Sequence, residues 1–428
     1  MSYRNPLRVH SYRGPNGPLV RTLLRLSVLL VLFVGISCAG GQSDPARVVF
    51  SLRQDLISAQ PGDVITIPAG RFEFDRSLTL TADGVTIRGA GMDQTILSFA
   101  NQEQGAEGLL VSGSDFLLED LAVEDTIGDA VKVNEGRNVV LRRVRTEWTR
   151  GPSTENGSYG LYPVQVENLL VEDCVAIAAS DAGIYVGQSR NVVVRNNRAE
   201  YNVAGIEIEN TVGADVYGNV ARNNTGGILV FNMPSIPLEG HSTRVFNNKI
   251  ESNNTGNFAP EGTAVASVPA GSGVVINSND KVEVFDNDIA DNNTANVIIA
   301  SYFSTGYYGE REAAEEYDPY PETIYLYGNR YSGGGSAPDG DDLETLRVAA
   351  FGEDGRLPDV IWDGFTNPEK VDENGQLMAE HALCLGESEG VMLFNVDGPN
   401  GYASPGPIDA ACELPKLAAI TLDPPLES

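Results

Sequence analysis

The sequence predicts an all-β fold, a single-stranded right-handed parallel β-helix with a short helical cap at its N-terminal end and an irregular C-terminal segment. Three observations predict it. A tetrad of the form Gly-(Ile/Val)-x-(Ile/Val) recurs along the chain, asparagines recur later in each period, and the steps from 183 to 205 and from 205 to 227 are both 22 residues. A fixed period with one strand signature per repeat marks a solenoid, in which each coil buries its apolar face only by stacking on its neighbours.

Composition agrees with short strands and tight turns. The chain has 46 glycines and only 7% aromatic residues, a profile that leaves little room for helix. The formal net charge of -30 repels nucleic acid and anionic lipid head groups, so nucleic acid is excluded as a partner. It also disfavours a free polyuronate without bridging cations. A neutral or cationic ligand, or a calcium-mediated one, is the easier electrostatic case.

The first element is an export segment. Arg4, Arg8, Arg13, Arg21 and Arg25 precede the apolar run Leu26 to Ile36, which has signal-peptide length and is short for a membrane span. The run ends Gly35-Ile36-Ser37-Cys38-Ala39, which resembles the lipobox of bacterial lipoproteins and implies lipidation of Cys38. Ordinary cleavage after Ala39 is the alternative. Residues 1–38 are therefore read as a signal peptide, and the protein as exported, to the periplasm or as an outer-membrane-anchored lipoprotein that meets the membrane only through its lipid.

Residues 44–60 follow as an amphipathic cap, because a solenoid must cover the open end of its core. Residues 61–335 are the β-helix. Its tetrads are Gly108-Leu-Leu-Val, Ala130-Val-Lys-Val, Gly160-Leu-Tyr-Pro, Gly183-Ile-Tyr-Val, Gly205-Ile-Glu-Ile, Gly227-Ile-Leu-Val, Gly273-Val-Val-Ile and Asn296-Val-Ile-Ile. Alternation points the second and fourth tetrad residues, such as Ile184 and Val186, into the core and the third outward. Asparagines at 196, 197, 219, 223, 224, 247, 248, 253, 254, 292 and 293 suit the turns, where their side chains satisfy backbone groups and tolerate left-handed conformations.

Insertions at 146–158, 234–241, 255–270 and 301–322 break the period and project as loops, where function concentrates. Residues 336–428 contain no tetrad, which predicts an irregular cap with the last ten or so residues loose. Cys384 and Cys412 lie 28 residues apart in this segment, spaced for a disulfide in an oxidising compartment. Cys174, in a strand-like stretch, reads as a buried core residue.

The tetrad-and-asparagine coil, over roughly Val48 to Gly335, resembles the right-handed β-helix proteins that include pectin lyases, mannuronan epimerases and NosD-like carbohydrate-binding and sugar-hydrolase repeats. The runs Tyr159 to Asn168, Ser180 to Gln188 and Ala204 to Asn210 are closer still to a bacterial group defined only by its parallel β-helix repeats. The epimerases carry Tyr-Gly-x-Asp-Pro-His-Asp on an outward strand, whose Asp and His transfer protons. Here Tyr159, Gly160 and Pro163 keep the frame, while Tyr162, Val164 and Gln165 replace the Asp, the His and the last Asp. Valine exchanges no proton, so that chemistry is not expected here.

Stacking the third tetrad position gives an outward strip of Leu110, Lys132, Tyr162, Tyr185, Glu207, Leu229, Val275 and Ile298. Two residues further on lie Asn134, Val164, Gly187, Glu209, Phe231 and Asn277. Aromatic faces beside carboxylates and amides suit sugar rings. The predicted binding residues are Lys132, Asn134, Tyr162, Tyr185, Glu207, Glu209, Asn210, Phe231 and Asn232, with the loops at 146–158 and 234–270 as walls.

Glu207 and Glu209, at i and i+2 on one face with Cα atoms about 6.6 Å apart, are the candidate catalytic pair of a glycoside hydrolase or lyase. The alternative is that both are solvated strand residues paired with Lys132 or Arg222. Tyr162 and Tyr185 likewise suit either a ligand or an overlying loop. No resident cofactor is expected, calcium at Asp129, Asp181, Glu207 and Glu209 being the one option. Carbohydrate binding without catalysis is the leading expectation. A polysaccharide-active enzyme and a partner-scaffolding lipoprotein are the alternatives.

Overall fold

A computed structural model describes residues 44–304, 317–386 and 390–426. The signal peptide and Cys38 lie outside the described residues. Helix α1, Pro45–Ser58, opens the fold. Asp44 caps it by accepting from the Ala46 N–H, and Pro45 occupies the first turn, where its missing donor costs nothing. Leu52 and Leu56 are buried against the first strands and close the end of the core.

Each full coil then contributes three short strands. Ala182–Gly187, Arg190–Arg195 and Arg198–Glu200 pair in parallel with Ala204–Glu209, Val212–Tyr217 and Val220–Arg222 of the next coil. Ile184, Val186, Ile206, Ile208, Ile228 and Val230 are fully buried in one continuous core. Their even spacing requires it, since residues two apart on a strand share a face.

The corners divide the work of the asparagines between adjacent positions. Asn197, Asn219, Asn248, Asn287 and Asn329 form one buried ladder, in which each side-chain oxygen accepts from the backbone N–H and the amide of the asparagine one coil earlier. Asn202, Asn224, Asn253 and Asn292 form a second one. Residues just before them, among them Asn196, Asn223 and Asn247, take the left-handed conformation. The ladders satisfy the corner backbone groups.

The C-terminal segment departs from the expectation of an irregular cap. Beyond Gly335, helix α2, Asp341–Phe351, is followed by Val360–Trp362, Leu383–Gly386 and Leu393–Asn395, which add to the stack in parallel. No tetrad announces them because α2 and long connections separate the strands.

Nor are the described residues after Cys412 loose. The Cys384–Cys412 disulfide anchors them, and the segment then runs back along the solenoid. Leu417 N–H donates to Glu283, Ile420 N–H to Asp215 and Asp423 N–H to Asn168. Leu422 packs on Val140, Leu170 and Val193, three apolar residues on an outward face that would otherwise meet water.

Candidate functional site

The strip predicted from the tetrads exists as a continuous register. Leu110 pairs with Lys132, Lys132 with Tyr162, Tyr185 with Glu207, Glu207 with Leu229, Leu229 with Val275 and Val275 with Ile298. Its two halves meet different surroundings. Leu110, Lys132, Asn134, Tyr159 and Tyr162 are half-buried, whereas Tyr185, Glu207, Leu229, Phe231 and Val275 are buried. Met233, Val265, Val268 and Tyr302 pack over the second half as a separate apolar cluster. The loops at 234–241 and 255–270 are thus a lid on the strip rather than walls beside it, because the strip's own Leu229, Phe231 and Val275 give them an apolar surface to bury.

This corrects two of the predicted binding residues. Phe231, 3% exposed, lines an apolar cavity with Val268, Val275, Ile298 and Trp362 beside the lid. Asn210 and Asn232 hold the lid in place: the Asn210 amide donates to Asn232 and to the carbonyls of Met233 and Leu238, and the Asn232 side-chain oxygen also accepts from Gly240. Their hydrogen-bonding capacity serves the loop. Val164 and Gln165, at the epimerase-like positions, supply no acid or base: Val164 is buried and Gln165 bonds Gln188 at 3.1 Å.

At the boundary between the halves, a polar cluster forms from Asp129, Lys132, Tyr159, Tyr162, Asp181, Tyr185, Glu207 and Glu209. The rings of Tyr159, Tyr162 and Tyr185 touch one another with centroids 4.4, 4.7 and 4.9 Å apart. Lys132 Nζ stands 4.6 Å over the Tyr162 ring and 3.8 Å from Asp129. Tyr185 donates its hydroxyl proton to Glu209 at 2.7 Å.

That bond depends on a glycine. The Tyr185 ring folds back along its own strand, and a Cβ at Gly187 would stand 2.3 Å from the Tyr185 hydroxyl oxygen. Tyr159 and Asp181 sit just before their tetrads at a turn, positions that the strand alternation does not assign to the strip. Only the turn geometry brings them over it.

Glu207 is neither solvated nor paired as the alternative reading supposed. It is 1% exposed, and its Oε2 is buried without a hydrogen-bond partner. Lys132 pairs with Asp129 and Arg222 with Glu200. Asp181 is buried too, with Oδ1 unpartnered. Burial first, then the neighbouring carboxylates, push Glu207 well above the usual carboxylate range. Burial and the Glu209 charge raise Asp181 to about 8, with the Tyr159 hydroxyl pulling the other way.

Glu209 is half-buried, and burial raises it to about 6 while the Tyr185 bond holds it down. Burial also raises Asp129 to about 6, opposed by Lys132. One strand therefore presents two carboxyls with separated proton affinities, the arrangement that assigns acid and base roles.

Elsewhere, the one place among the described residues where three acidic ligand atoms lie within 4.8 Å of one another is Asp280, Asp318 and Glu322. Lys370 Nζ bonds both Asp318 and Glu322 there.

The fold and the register define a right-handed parallel β-helix protein, with a cluster of acidic and aromatic side chains at one point on its outward strip. Residues 79–242 match the family model described as right handed beta helix region. A search of curated proteins gives no match.

Among solved structures, the chain is similar to the A-module of Azotobacter vinelandii mannuronan C-5 epimerase AlgE4 at 20% identity, over 69% of this chain and 86% of that one, with a TM-score of 0.45. It is similar to alginate lyase AlyF-OU02 in complex with G6 at 14% identity, over 81% and 82% of the two chains, with a TM-score of 0.42. It is also similar to the Dettilon tailspike protein at 12% identity, over 83% of this chain and 66% of that one, with a TM-score of 0.44.

Proposed function

We propose that the open half of the strip binds a carbohydrate chain and that the cluster at its closed end hydrolyses a glycosidic bond. The observation that carries this is the pairing of Glu207, buried with an unpartnered oxygen, with half-exposed Glu209 two residues along the same strand. Burial holds Glu207 well above the usual carboxylate range while Glu209 is raised only to about 6, so Glu207 holds its proton to higher pH than Glu209. Glu207 donates its proton to the departing glycosidic oxygen, and Glu209 takes a proton from the attacking water. Tyr159 and Tyr162 offer ring faces to sugars at the entrance, and Lys132 and Asn134 offer donors.

The charge of the cluster selects the sugar. Burial favours the neutral forms of Asp181 and Glu207, which leaves Asp129, paired with the one cation Lys132, and Glu209 as the negative charges of this cluster in an acidic chain. A neutral or amino sugar enters such a field more easily than a uronate.

Screening the purified protein against neutral, amino-sugar and uronate oligosaccharides, and reading reducing ends, tests the proposal. Turnover is expected on a neutral or amino-sugar substrate and is expected to fall by about 10²-fold or more in Glu207→Gln and Glu209→Gln. Saturable binding without turnover would leave a binding protein and reject hydrolysis. Turnover that survives in both variants would reject the site.

A further inference from the structure

We propose that the outer face of helix α1 is a membrane-contact surface, so that the solenoid stands end-on against the bilayer to which its N-terminal segment tethers it. The helix buries Leu52 and Leu56 in the core and turns Arg47, Phe50, Gln54 and Ile57 to solvent. Steps of three and four residues place these four side chains on one stripe. Phe50 is 66% exposed and Ile57 79%, and Val64 of the first strand, at the same end, is 54% exposed. Phe50 and Ile57, two turns apart on the side of the helix turned away from the core, are the apolar side chains that a second apolar environment would cover.

A lipid surface is the occupant that the rest of the chain favours. The apolar run Leu26 to Ile36 ends, and Cys38 stands, only a few residues before α1 begins at Pro45. Seven residues reach at most about 25 Å, so a tether in that region holds the helix within a molecular diameter of the bilayer.

Charge agrees. From 44 to 76 the sequence carries four arginines, Arg47, Arg53, Arg71 and Arg76, against five carboxylates, whereas the whole chain stands at -30. Arg53 bonds Asp75 and Arg71 bonds Glu124, while Arg47 on the stripe faces solvent, as do Asp44, Asp55 and Asp63. An anionic bilayer therefore repels the cap far less than the acidic body, and Arg47 is placed to reach the head groups beside Phe50 and Ile57. Each apolar side chain adds little by itself. Acting on a tethered helix, they set orientation rather than attachment.

The test uses the full chain in its membrane-associated form, in vesicles of phosphatidylethanolamine and phosphatidylglycerol carrying doxyl-labelled tails. Ile57→Cys is labelled with an environment-sensitive fluorophore, and Tyr201→Cys in the body of the solenoid is the control. Cys174 is buried and Cys384 is bonded to Cys412, so neither competes for the label.

The expected result is a blue-shifted label at 57, quenched several-fold more strongly by the doxyl lipid than the label at 201. Equal quenching at both positions overturns the proposal, as does a blue shift at 57 without lipid quenching, which would mean a second copy covers the face. The tether is read separately by flotation. A chain that does not float with vesicles lacks the tether and overturns the proposal, whereas one that floats with an unquenched label at 57 has the tether but not the contact. Phe50→Ser with unlabelled Ile57→Ser should still float yet lose its fixed orientation, seen as increased protease access to the cap.

Discussion

Tyr185 reaches along its own strand to donate a hydrogen bond to Glu209, 2.7 Å away and on the next coil, over the space left by Gly187. Gly187 pairs in register with Glu209, so the glycine lies directly beside the carboxylate that the tyrosine seeks. The bond favours the ionised form of Glu209 against the burial that opposes it.

Tyr185→Phe is expected to cost about 1 kcal/mol of stability and to raise Glu209 above its value of about 6. The acid limb of any pH–rate profile should then move to higher pH. Gly187→Ala should do the same by displacing the ring, at a stability cost of about 1–3 kcal/mol. Titration of the Glu209 carboxyl by NMR, with chemical denaturation in parallel, checks both variants. An unmoved Glu209 in Tyr185→Phe would show that the bond does not control it.

Asp181 ties stability to pH. Burial raises it to about 8 in the folded state, against about 3.9 in an unfolded chain. Between these values the folded protein holds a proton that the unfolded chain has released. The contribution is therefore complete below about pH 4 and is lost as pH rises towards 8. Asp181→Asn should flatten that decline and stabilise the protein at pH 8 by an amount of the order of a few kcal/mol. Thermal unfolding at pH 5 and pH 8 measures it, and a variant whose stability falls with pH as steeply as the parent's would contradict the assignment.

Asn248 occupies the middle of the first asparagine ladder, bonded to Asn219, Val216 and Asn287. Asn248→Ala should cost about 1–3 kcal/mol for each buried group left without a partner, whereas Asn254→Ala, exposed at the next corner of the same coil, should cost under about 1 kcal/mol. Denaturant midpoints of the two variants make the comparison.

Removal of residues 417–428 should lower the unfolding temperature and expose Val140, Leu170 and Val193, which Leu422 covers. Binding of a hydrophobic dye to the truncated protein reads the exposure. Leu422→Asp should reproduce much of the loss, because it places a charge on that apolar patch. A truncated protein with unchanged dye binding would mean that the segment does not shield the face.

The coils were legible because their physical cause is local. Alternation within Gly183-Ile-Tyr-Val and its repeats fixes which residues enter the core, and stacking then brings Lys132, Tyr162, Tyr185 and Glu207 into one line whatever the rest of the chain does. The strands after Gly335 were not legible, since Val360–Trp362 and Leu393–Asn395 are three residues each and α2 interrupts the spacing. The lid was misread because an inserted loop has no period. Whether the loop at 234–241 stands beside Phe231 or over it depends on apolar surface supplied from other coils.

The sequence by itself determined the architecture, the register of the outward strip and the presence of Glu207 and Glu209 on one face, because a repeat with a two-residue alternation leaves a strand only one way to bury its aliphatic side chains. Only the tertiary structure decided that Glu207 lies buried with an unpartnered oxygen while Glu209 remains half-exposed. It also decided that Asn210 and Asn232 serve a loop rather than a ligand. Proton affinity and ligand access depend on solvent and on neighbours distant in sequence, and neither is written in the period of the repeat.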